Sequence, residues 1–200
     1  MLTSLPNLLT LFRIVAIPGI VALFYLESSL GRWLACGLFS LAAITDFLDG
    51  YLARTTGQQS SLGRFLDPVA DKLLVAATLL LLTGFGQIDG LTILPALVIL
   101  CREILVSGLR EYLAGIRVGL PVSALAKWKT LLQMFSIGFL IVGTSGPAFL
   151  PTRMIGETGL WIAAVLTLIT GYDYLRASLH HITRVEKADP VLNAGSRKDG

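Results

Sequence analysis

Six long apolar runs, each close to the length needed to cross a bilayer, dominate this 200-residue chain. They occupy about residues 8–27, 32–54, 66–86, 91–114, 123–145 and 155–180. Inside lipid a backbone must satisfy its own polar groups, so each run predicts a helix. Composition points the same way: 54% of residues are hydrophobic and 14% charged, too few charges for an ordinary soluble surface. The connections are short and marked by Gly, Pro and polar residues: Glu27 to Gly31, Thr55 to Gly63, Gly84 to Gln87, Gly115 to Val122 and Gly143 to Pro151. The expected fold is an all-α membrane protein of six transmembrane helices with a cytoplasm-facing polar cavity. Its membrane domain covers residues 1–183, followed by a polar tail over 184–200. Nothing basic precedes Arg13 and no small-residue cleavage site closes the first run, so that run is expected to stay as a helix.

Lys and Arg residues set the expected orientation. Arg54, Arg64 and Lys72 flank the second connection; Arg110, Arg117, Lys127 and Lys129 flank the fourth; the C-terminal segment has Arg176, Arg184, Lys187, Arg197 and Lys198. The remaining connections offer Arg32 and Arg153. The positive-inside rule then places both termini and the second and fourth connections in the cytoplasm. The net charge is +3, but its basic residues are dispersed between apolar runs, which argues against a nucleic-acid partner. Cys36 and Cys101 lie inside apolar stretches and are expected as packed, reduced thiols.

The chemistry concentrates around the second connection. Asp46 and Asp49 are spaced i, i+3, and Asp67 and Asp71 are spaced i, i+4, so each pair shares a helix face. Asp46, Asp49, Gly50, Ala53 and Arg54 fall within an arc of roughly 140° on a helical wheel. Small residues between the carboxylates leave room for a ligand. An Asp at the centre of a membrane helix costs about 2.5–3.5 kcal/mol, and four brought together repel one another. Divalent cations offset both penalties, and clustered carboxylate oxygens suit Mg²⁺, Mn²⁺ or Ca²⁺. Two such ions form a clamp for displacement at phosphorus. Pro68 predicts that the third helix begins there, with Asp67 at its cap.

The series Asp46-x2-Asp49-Gly50-x2-Ala53-Arg54-x8-Gly63-x3-Asp67-x3-Asp71 resembles the signature of the CDP-alcohol phosphatidyltransferase family at all eight positions and with the family's spacings. The resemblance implies that Asp46, Asp49, Asp67 and Asp71 ligate one or two Mg²⁺ or Mn²⁺ ions and that Asp71 is also the general base. It implies that Asp49, Gly50, Ala53, Arg54, Ser60 and Gly63 bind CDP-diacylglycerol, and that an alcohol attacks the phosphate next to diacylglycerol while CMP leaves. It further implies a homodimer in the bacterial inner membrane, with the active site on the cytoplasmic side.

A second polar set bears on which alcohol attacks. Arg102 and Glu103 lie well inside the fourth apolar run, where charges mark functional sites. Arg110, Lys127 and Lys129 flank the fourth connection. Together Arg102, Arg110, Lys127 and Lys129 suit an acceptor that carries its own phosphate. The runs Arg102 to Glu111 and Lys127 to Thr130, with the opening Pro6 to Arg13, resemble bacterial members of the family whose acceptor is glycerol 3-phosphate. Phosphatidylglycerol or inositol phosphate as acceptor stays open from the residues alone. So does a divalent-cation transporter, which would also keep carboxylates in the membrane.

Overall fold

The computed structural model describes residues 5–56, 61–115 and 124–188. Six long α-helices follow one another: α1 (Leu5–Tyr25), α2 (Ser29–Thr56), α3 (Ser61–Gly84), α4 (Ile93–Gly115), α5 (Ala124–Val142) and α6 (Thr152–Ala188). Short 3₁₀ turns at Gly90–Thr92 and Gly143–Ser145 complete the described secondary structure. No strand occurs among the described residues. The six helices match the six apolar runs, and α6 continues to Ala188, past residue 183.

Four spans are long and apolar enough to cross a membrane: Asn7–Tyr25, Gly90–Gly115, Leu125–Ser145 and Thr152–Arg176. A shorter apolar helix covers Ser29–Thr45. In α3 the first half carries Asp67, Asp71 and Lys72, which interrupts its apolar character. The chain is a multi-pass membrane protein. Leu80, Ile104, Phe135 and Leu168 are exposed on α3, α4, α5 and α6, as lipid-facing positions should be.

Pro68 does not start α3. The helix begins at Ser61 and runs through the proline, so Asp67 lies within it rather than at its cap. An internal proline removes one N–H and frees a carbonyl one turn back. Membrane helices tolerate this when neighbouring groups take up the freed polar atoms. Cys36 is half-buried, its thiol donating to the Gly138 carbonyl at 3.5 Å, whereas Cys101 is exposed rather than packed. Its position on α4 turns outward, a direction that a uniformly apolar run does not reveal.

Helix α1 packs on α2 and α3, and α6 packs on α4 and α5; α2 against α5 and α3 against α4 join the two groups. The core includes Ala16, Ile20 and Phe24 of α1, Phe39 of α2, Leu74 and Leu82 of α3, Ile99 of α4, Leu140 of α5 and Leu160 of α6. Where α5 meets α6, Gly156 permits a close approach: a Cβ there would lie 2.7 Å from Leu140 Cγ and 3.0 Å from the Ser136 carbonyl oxygen.

The buried faces change character along their length. On α1 the buried stripe is Asn7, Thr10 and Arg13, then Ala16, Ile20 and Phe24, at the i, i+3, i+4 spacing of one helix face. On α5 it is Lys129, Gln133 and Ser136, then Ile137, Leu140 and Ile141. On α6 the order is reversed: Leu160, Ala163 and Ala164 precede Thr167, Thr170, Tyr174 and Ser178. Consecutive helices run antiparallel, so the starts of α1, α3 and α5 and the ends of α2, α4 and α6 share one end of the bundle. That end has a polar interior. The opposite end is marked by Arg32 stacked 4.2 Å above the Phe24 ring, and by Arg153 paired with Asp89 at 2.9 Å.

Candidate active site

Two of the four signature aspartates have described side chains. Asp67 and Asp71 sit one turn apart on α3 and are partly buried. Across from them, α1 presents Thr10 and Arg13, themselves one turn apart. The Thr10 hydroxyl donates to Asp67 Oδ1, and Arg13 Nη1 donates to Asp71 Oδ1. Arg13 Nη2 stands 3.7 Å from Asp67 Oδ1, and the Arg13 side chain is 0% exposed. A guanidinium so enclosed needs carboxylate partners, because an uncompensated buried charge costs several kcal/mol. Arg13 and Thr10 escaped the sequence reading of the site. The signal was present: Arg13 is a charge inside an apolar run, the same criterion that singled out Arg102.

The donor chemistry fits a hard divalent cation. Asp67 and Asp71 offer carboxylate oxygens from adjacent turns, the ligand type that Mg²⁺ and Mn²⁺ prefer. Both contacts that Asp67 makes among the described residues fall on Oδ1, which leaves Oδ2 for a ligand. No group of three or more His, Cys, Asp or Glu comes together among the described residues. Asp46, Asp49, Gly50, Ala53 and Arg54 belong to α2, but their side chains lie outside the described residues, as does all of Ser60. Gly63 is buried in the first turn of α3, one turn before Asp67.

The second polar set gathers at the same end of the bundle. Glu103 accepts from both Arg102, at 3.3 Å, and Lys129. The Lys129 and Arg102 side chains are 3% and 11% exposed, against 24% for Glu103. Arg102 Nη2 also donates to the Thr170 hydroxyl of α6 at 3.0 Å. Room for Arg102 comes from Gly171, where a Cβ would lie 3.1 Å from Arg102 Cγ. Arg110 donates to the Tyr174 hydroxyl at 3.1 Å, its guanidinium 5.5 Å from that ring's centre. Lys72 donates to the Pro68 carbonyl at 2.6 Å and is within electrostatic reach of Asp71, Glu103, Glu111 and Arg110. It is therefore close both to Asp71 of the carboxylate pair and to Glu103 of the cation set.

Of the four cations expected around an acceptor phosphate, Arg102 and Lys129 are brought together and Arg110 is within electrostatic reach of Lys129. Lys127 is not: it is exposed on α5. Residues two apart on a helix point about 200° away from each other, so Lys127 and Lys129 cannot share a face. Glu103, already marked by its place in the fourth apolar run, pairs with them, and Thr170 and Tyr174 complete the set; separation in sequence hid those two.

The sequence profile described as CDP-alcohol phosphatidyltransferase matches residues 3–169. The chain belongs to the CDP-alcohol phosphatidyltransferase family. Among curated members, a CDP-diacylglycerol–glycerol-3-phosphate 3-phosphatidyltransferase of Rickettsia bellii is 51% identical over 174 residues, covering 87% of this chain and 94% of its own length. A Cereibacter sphaeroides protein of the same name is 40% identical over 215 residues, covering 90% and 97% respectively. The fold has a solved counterpart. The Mycobacterium tuberculosis phosphatidylinositol phosphate synthase, crystallised with CDP-DAG bound, superposes with a TM-score of 0.64 at 20% identity, over 88% of this chain and 87% of that one. Membership in this phosphatidyltransferase family makes the chain a transferase of phospholipid synthesis.

Proposed function

We propose that this chain transfers the phosphatidyl group of CDP-diacylglycerol to glycerol 3-phosphate, forming phosphatidylglycerophosphate and CMP. One observation carries the reading. The carboxylates of α3 and a cation set fit for a phosphate, with Arg102 and Lys129 enclosed, share the polar end of one bundle, in a chain 51% identical over 174 residues to a relative named for this reaction.

Asp46, Asp49, Asp67 and Asp71 hold one or two Mg²⁺ or Mn²⁺ ions. The bound cation neutralises the pyrophosphate and stabilises the charge on departing CMP. Asp49, Gly50, Ala53, Arg54, Ser60 and Gly63 cradle the CDP-diacylglycerol head, Arg54 as a flat fork against phosphate. Arg102, Arg110 and Lys129 hold the phosphate of the acceptor, with Glu103 neutralising the two most enclosed cations of the set until it binds. Lys72, next to Asp71 in sequence, is within electrostatic reach of both Asp71 and Glu103. Asp71 takes the proton from the acceptor hydroxyl. The hydroxyl oxygen then bonds to the phosphorus next to diacylglycerol, and the bond from that phosphorus to the oxygen bridging to CMP breaks.

The six helices all cross the membrane in this reading, with both termini and the polar cavity on the cytoplasmic side, where the Lys and Arg residues gather. The family resemblance gives a homodimer as the assembly. The deciding experiment is an acceptor screen. Purified protein is given CDP-diacylglycerol and Mg²⁺ or Mn²⁺, and CMP release is followed with glycerol 3-phosphate, inositol phosphate or phosphatidylglycerol. The expected result is turnover with glycerol 3-phosphate. Turnover with another acceptor and none with glycerol 3-phosphate overturns the assignment.

A further inference from the structure

Helix α1 carries none of the signature residues, yet it reaches the site with two donors. Thr10 and Arg13 lie on the buried stripe of α1 and face Asp67 and Asp71 on α3. Both pairs are spaced about one helical turn, so the two helices meet turn against turn. The guanidinium fork reaches both carboxylates from one side: Nη1 to Asp71, and Nη2 at 3.7 Å from Asp67. A carboxylate held on one oxygen by a fixed donor has its rotamer and its second oxygen fixed as well. A point-charge ammonium on a flexible stem cannot hold two carboxylates in that way.

We infer that Arg13, assisted by Thr10, is a positioning residue: it sets the orientation of Asp67 and Asp71 for the divalent cation. Arg13 acts through those carboxylates and touches neither substrate. Outer-shell partners of this kind are worth roughly 10- to 100-fold in metal affinity. The inference rests on the proposed metal-dependent transfer, and it predicts something that a purely structural α1–α3 contact would not. Cation affinity falls in variants that remain folded.

The test measures Mn²⁺ binding to the purified full-length protein by electron paramagnetic resonance of free Mn²⁺, alongside thermal unfolding. The proteins are wild type, Arg13→Lys, Arg13→Met and Thr10→Val. Arg13→Lys keeps the charge and loses the fork, and is expected to weaken Mn²⁺ about tenfold or more. Thr10→Val removes one hydrogen bond to the Asp67 carboxylate and is expected to weaken it about fivefold or more. Under saturating substrates, kcat falls in Arg13→Lys while the KM for glycerol 3-phosphate stays near the wild-type value. Should Arg13→Met fail to fold, Arg13→Lys and Thr10→Val decide the matter together. Folded variants with wild-type Mn²⁺ affinity overturn the role of Arg13 and leave the proposed function standing. A wild type that binds no Mn²⁺ overturns both.

Discussion

Glu103 is the carboxylate whose removal should say most about the acceptor site. It accepts from Arg102 and Lys129, which are 11% and 3% exposed, so it neutralises two enclosed cations. Breaking a buried ion pair by deleting one partner costs about 3–5 kcal/mol. Glu103→Gln should cost less, because Glu103 is 24% exposed and the amide oxygen still accepts one hydrogen bond. About 2 kcal/mol is a reasonable figure, which for a chain of this size lowers Tm by roughly 4–8 °C. Glycerol 3-phosphate then has a second effect. Its phosphate supplies the negative charge that the variant lacks, so it should stabilise Glu103→Gln more than wild type. A tenfold tighter Kd adds about 1.4 kcal/mol at saturating ligand, a further rise of roughly 3–5 °C. The assay is thermal unfolding in detergent with and without glycerol 3-phosphate. Equal ligand-induced shifts in the two proteins would refute the idea that Arg102 and Lys129 receive the acceptor phosphate.

Other changes separate the remaining roles. Asp71→Asn should retain CDP-diacylglycerol binding and lose about 10²–10⁴-fold in kcat, the range for a general base; near-wild-type turnover would exclude it as the base. Lys129→Ala should raise the KM for glycerol 3-phosphate tenfold or more, as loss of a charge-assisted hydrogen bond to phosphate predicts, whereas exposed Lys127→Ala should leave it within about twofold; the two KM values check this directly. Gly171→Val pushes into Arg102, whose Cγ lies 3.1 Å from the position of a Cβ. It should weaken acceptor binding with little effect on the KM for CDP-diacylglycerol, and parallel losses for both substrates would contradict that.

The legible and the hidden parts of this protein divide along physical lines. Helix number and approximate limits followed from apolar run length, because a bilayer enforces both. The carboxylate pair of α3 followed from spacing within one helix. Contacts between helices did not follow. Thr10 meets Asp67 across 57 residues of sequence and Arg102 meets Thr170 across 68, and no single-helix periodicity encodes such pairs. Lys127 shows a related limit: charge near a connection grouped it with Lys129, whereas the turn of α5 leaves it exposed. Pro68 was misleading for a related reason: in water it would end a helix, whereas α3 carries it inside a packed bundle.

The pairing of Arg13 with Asp71 also constrains how the protein can be built. These residues are 58 positions apart, so α1 leaves the ribosome and enters the membrane well before Asp71 exists. Arg13 lies in the third turn of α1, close enough to the helix end for its long side chain to stay with the headgroups. It can withdraw into the bundle when α3 arrives with Asp67 and Asp71. Completion of the reaction centre and closure of α1 against α3 are therefore the same event in biogenesis.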